Sequence, residues 1–127
     1  LPSKAVTYTG FQELGRVTQE LDNQYDFTTI YAQSRRQLRA FSGIEYSDMG
    51  GKLTRLPENF TGLGNQTRLM LQLDVWEYTG PDWAYPLDQQ KLDSILAANF
   101  TLVHVVERDY PTEQGTRKVP VGFLFIK

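Results

Sequence analysis

Cysteine is absent from the chain, which excludes disulfides, thiolate metal sites and cysteine nucleophiles together. That fits a chain made in the cytosol better than a small secreted scaffold needing covalent staples. No apolar run approaches the roughly twenty residues of a membrane helix, and Leu1-Pro2-Ser3-Lys4 leads into no signal-like stretch, so no membrane partner is expected. A basic excess is missing too. Lys plus Arg come to 13 against 15 for Asp plus Glu, and a net charge of -2 gives no footing for affinity by phosphate neutralisation, so sequence-specific nucleic-acid binding is not expected. Low-complexity bias is absent, and with 40% hydrophobic and 22% charged residues the 127 positions are expected to fold as a single domain spanning residues 1–127.

The elements of catalysis are equally sparse. His104 is the only histidine, and a lone His in an alternating strand is more often packed or half-exposed than a general base or ligand. No Gly-x-Ser-x-Gly elbow marks an activated serine. Gly43, Gly50, Gly51, Gly62 and Gly64 assemble into neither a dinucleotide fingerprint nor a P-loop, and no Asp-rich loop has calcium spacing. Asp74, Glu77, Glu107 and Asp109 raise a glycosidase-like pair, but acids on strands are usually solvent-facing and matched across strands with Arg or Lys. No catalytic residue, metal or cofactor is therefore expected, and an enzyme using Asp74, Glu77 or His104 ranks last.

What the chain does carry is pattern. Phe11, Leu14, Val17 and Leu21 predict a helix over residues 9–22, with Thr9 and Gln12 as a capping box, stopping near Asp22-Asn23. Phe27-Thr28-Thr29-Ile30-Tyr31 reads as a strand, followed by Arg35, Arg36 and Arg39 around Leu38 and Phe41. Residues 42–65, broken by glycines and Pro57, read as a long excursion, a hairpin-like arm that reaches towards a partner.

The strongest strand spans residues 68–78, with Leu69, Leu71, Leu73 and Val75 on the core face and Met70, Gln72, Asp74, Trp76 and Tyr78 on a mixed, partly exposed one. Asp88 N-caps a helix carrying Leu92, Ile95 and Leu96 and closed by Asn99. Strands over residues 101–107 and 118–126, turning at Pro111-Thr112-Glu113-Gln114-Gly115, make a closing antiparallel hairpin in which Pro120 demands an edge or a bulge. The expected fold is α+β, with two helices packed on one face of a largely antiparallel sheet.

Arg35, Arg36, Arg39, Lys52 and Arg55 concentrate positive charge beside Tyr31, Phe41 and Tyr46, either as a protein interface or as a solvated basic face. Among the aromatics, Trp76 is read as core and Trp83, with Tyr85, as interface. Asn59, Asn65 and Asn99 begin sequons, of which the last has a backbone reason to be asparagine at a helix end.

The run Thr67-Arg68-Leu69-Met70-Leu71-Gln72-Leu73-Asp74-Val75-Trp76, then a helix, Asn99-Phe100-Thr101-Leu102 and a hairpin ending Gly122-Phe123-Leu124-Phe125-Ile126, resembles the small tail-terminator and head–tail joining proteins of tailed bacteriophages. So does the order of elements, with an N-terminal helix and a long arm before the central strand. The similarity covers residues 11–127 in pattern; residues 35–51 do not match the usual first strand, and the second helix is short. It implies a non-enzymatic virion subunit, assembled in the host cytoplasm. Such a subunit forms an oligomeric, often hexameric, ring with itself that caps the tail-tube protein and meets the head connector, the arm contacting neighbours. The alternative is a monomeric α+β ligand-binding or inhibitory module, with the aromatics from Trp76 to Tyr85 lining its site.

Overall fold

The computed structural model describes residues 10–74 and 89–127. Their order is α1 (Phe11–Tyr25), β1 (Thr29–Ala32), α2 (Arg35–Ser42), β2 (Leu53–Arg55), β3 (Leu69–Asp74), α3 (Gln89–Ala97), β4 (Thr101–Thr112) and β5 (Gly115–Ile126). The class is α+β, as expected. Trp76, Glu77, Tyr78, Trp83, Tyr85, Asp88 and the cap at Thr9 lie outside the described residues.

The i, i+3, i+4 spacing of Phe11, Leu14 and Thr18 buries one face of α1. The helix runs past Asp22-Asn23 to Tyr25, where Asp26 takes a left-handed conformation (φ 52°) and returns its N–H to the Asp22 carbonyl. Asn99 also has a positive φ, 71°, which accounts for asparagine after α3 without a glycan.

The sheet is mixed, with its antiparallel pairs the longer ones. Its strand order is β2-β1-β3-β5-β4; β1 pairs in parallel with both β2 and β3, while β5 is antiparallel to β3 and β4. The cause is α2, an eight-residue helix not foreseen in the basic run at Arg35. It carries the chain from β1 across to β2, the crossover that parallel pairing requires. Only Leu38 and Ser42 of α2 are buried, too few to show a helical period in the sequence.

Residues 42–65 correct the expectation of a reaching arm. They hold β2, in register with β1 through Ile30–Leu53 and Ala32–Arg55, and they bury Leu53, Phe60 and Leu63 in the core. Gly51 lies so close to Glu45 that an added Cβ would meet the Glu45 carbonyl oxygen at 2.1 Å, pinning the segment down.

Both faces of β3 are covered, against the expectation that the Met70 face is mixed and partly exposed. Met70, Gln72 and Asp74 are as buried as Leu69, Leu71 and Leu73. On the Met70 face α1 packs on α2 and reaches β5, with Gly15 against Phe41 and Glu13 bonded to His104 at 2.7 Å.

The longest pairing among the described residues is that of the closing hairpin. Among the described residues β3 pairs with β5 from Met70–Ile126 to Asp74–Gly122, and β4 and β5 stay paired out to Thr112–Gly115. Glu107, Asp109, Pro111, Glu113, Gln114, Gly115, Thr116, Lys118 and Pro120 are all exposed along this ribbon. Pro120 sits at a register shift: Val106 faces Gly122 but Glu107 faces Pro120, so a bulge absorbs the missing donor while β5 stays between β3 and β4.

Candidate functional site

In open sheets with parallel strands, ligands gather outside the carboxyl ends where neighbouring strands connect to different sides. Here β1 has β2 on one side, reached through α2, and β3 on the other. At that point Gln33 and Ser34 turn the chain from β1 into α2, and Gln33, Ser34, Arg35, Arg36, Gln37, Tyr46 and Asp48 line a cleft of about 450 Å3.

Its floor is a buried hydrogen-bond network. The Ser34 hydroxyl donates to Asp74 Oδ2 at 2.5 Å, and the Gln72 amide donates to the same oxygen at 2.6 Å. The Ser34 N–H donates to Gln72 Oε1 at 3.1 Å, and the Asp74 N–H donates to Gln33 Oε1 at 3.0 Å. Burial pushes the Asp74 carboxyl above its usual range, against the opposing effect of the Ser34 and Gln72 bonds and the Lys91 charge. Its other oxygen, Oδ1, has no hydrogen-bond partner among the described residues. Because the Ser34 side chain is bonded to Asp74, it does not cap α2.

The basic residues singled out in sequence divide here. Arg35 and Arg36 line the cleft and pair with no carboxylate among the described residues. Arg35 and Arg39 both lie over the Tyr46 ring, at 5.5 and 5.0 Å from its centre. Arg39 is held through two bonds by Glu45, at 2.6 and 3.1 Å, which raises the guanidinium and lowers the carboxyl. Lys52 is taken up by Asp22 and Asp26, at 2.9 and 3.0 Å. Arg55 is exposed at the end of β2. Trp83 and Tyr85 lie outside the described residues.

Sequence reasoning missed Gln33, Ser34 and Gln72 as parts of one site. The available signal was a Gln-Ser pair directly after the strand that ends at Ala32, plus two polar residues, Gln72 and Asp74, at alternate positions of the most apolar strand. Among the described residues no three acids or histidines gather as a metal site, and no helix is long and apolar enough to cross a membrane. No family model, curated protein or solved structure matches the chain.

Proposed function

We propose that this protein is a structural subunit that assembles with copies of itself and with neighbouring proteins, and that, as its similarity to tail-terminator and head–tail joining proteins suggests, the assembly is a ring closing the tail tube of a bacteriophage virion and meeting the head connector. The observation that supports assembly is the β4–β5 ribbon, whose exposed residues, among the described ones, run past the last pair with β3. A two-stranded ribbon this long gains little stability alone, whereas a partner gives its exposed backbone and side chains something to pack on. In this reading the ribbon takes the role that the sequence analysis assigned to residues 42–65.

Light scattering and negative-stain microscopy of the purified protein, with and without a tail-tube protein, test the proposal. Closed rings, free or on tube ends, are the expected result; a strict monomer that joins no tube overturns it.

A second reading, a monomeric ligand-binding module, is favoured by the polar cleft at the end of β1. It expects a monomer whose cleft amides respond to a small polar molecule, and it fails if no compound in a screen shifts them.

A further inference from the structure

The cleft and the ribbon are different patches on one copy, and their chemistry is complementary. Among the described residues, the cleft lining holds Arg35 and Arg36 with Asp48 as its one acid, one more cation than anion, while Asp74 lies buried behind Ser34. The ribbon ends in a two-residue connection, Glu113-Gln114, with Glu113 exposed and no other strand beside it among the described residues. Topology puts both at the same end of the sheet. The cleft lies beyond Ala32, the last residue of β1, and Asp74, the last described residue of β3, and the ribbon continues past Gly122, the partner of Asp74. It then extends roughly 20 Å further, at about 3.4 Å per residue. Since β5 is two strands from β1, the ribbon starts about 10 Å to the side of its own cleft.

We propose that the ribbon tip of one copy seats in the cleft of the next, with the Glu113 carboxylate between the Arg35 and Arg36 guanidiniums. This rests on the self-assembly reading and specifies its contact. Guanidinium forks match a carboxylate in charge and geometry. A contact between two different patches repeats head to tail, and such repetition closes into a ring when the rotation per copy allows it. The occupant of the cleft is therefore a second copy of this chain.

Charge reversal tests it. Glu113 and Arg36 are both exposed, so Glu113→Arg and Arg36→Glu should leave the fold intact by circular dichroism. Each alone is expected to weaken association at least tenfold by analytical ultracentrifugation, and the two together to restore it. In the wild type, the amides of residues 33–37 and of residues 113–115 should shift together as concentration rises. Assembly of both single variants at wild-type strength overturns the ribbon–cleft contact while leaving self-assembly intact. A wild-type chain that stays monomeric even with a tail-tube protein overturns the assembly reading itself.

Discussion

Ser34 and Asp74 are joined by a 2.5 Å hydrogen bond across the carboxyl ends of β1 and β3, forty residues apart in sequence. The bond ties the start of α2 to the central strand, and with Gln72 it gathers three buried polar side chains into one network. Buried polar groups are tolerated when their bonds are complete and costly when one partner is removed.

Asp74→Ala would strip the acceptor from both Ser34 and Gln72. It is expected to cost roughly 2–4 kcal/mol, at about 1–3 kcal/mol for each stranded buried group. Asp74→Asn keeps an oxygen for both donors and should cost far less. Urea unfolding of the two variants side by side gives the comparison.

The same residue sets a pH dependence. The Asp74 carboxyl is raised by burial, so its stabilising contribution is complete below the unfolded value of about 3.9 and is lost as pH rises through the folded value. Asp26 runs the other way. Lys52 lowers it, and its contribution is present above the unfolded value and lost as pH falls through the folded one. Asp74→Asn should therefore gain on the wild type as pH increases from 4 to 7. Urea midpoints across that range that stay parallel for the two proteins would contradict this.

At Gly15 two effects compete. Alanine in a helix interior is favoured over glycine by about 1 kcal/mol, but a Cβ at Gly15 would lie 2.4 Å from the backbone carbon of Phe41. Backbone cannot swing aside, so α1 and α2 would have to separate, and overpacking of this kind typically costs about 1–3 kcal/mol. Gly15→Ala should lower the thermal midpoint by several degrees. A midpoint that rises would show that the helices have room to part.

Lys127 gathers three carbonyls, those of Leu63, Gly64 and Ala98, at 2.6, 2.9 and 2.8 Å. It thereby fastens the segment before β3 to the end of α3. Lys127→Met keeps the apolar stem and removes the donors, with an expected loss of about 1–3 kcal/mol. Hydrogen exchange should quicken at Gln66 and Asn99, whose amides bond within those two segments. Exchange unchanged at both sites would show that the ammonium contributes nothing to holding them.

Periodicity made α1, the core of β3 and the closing hairpin legible, because each is long and its apolar positions repeat at 3.6 or 2 residues. Pro120 announced a break in the ladder, and the structure resolved it as a bulge. Both α2 and β2 stayed hidden. The first buries two residues of eight, and the second is three residues long, so neither carries enough period to be read. Without them the sheet reads as antiparallel, and residues 42–65 look like a free arm.

The candidate site followed the same division. Arg35, Arg36 and Tyr46 could be named from composition, but that they share a cleft depends on the turn from β1 into α2 and on the 3-10 turn at Ser47–Met49. Gln72 and Asp74 alternate on the strongest strand as a half-exposed face would, yet both are buried. Their exposure was decided by neighbouring elements that no local pattern encodes.

By itself the sequence determined the cysteine-free chemistry, the near-neutral charge, the α+β class and the helices and strands whose apolar period is long. Only the tertiary structure decided that β1, β2 and β3 run parallel, that Ser34 meets Asp74, and that residues 42–65 join the sheet and the core. Period is a local property of the chain, whereas strand order and burial are set by contacts between residues tens of positions apart.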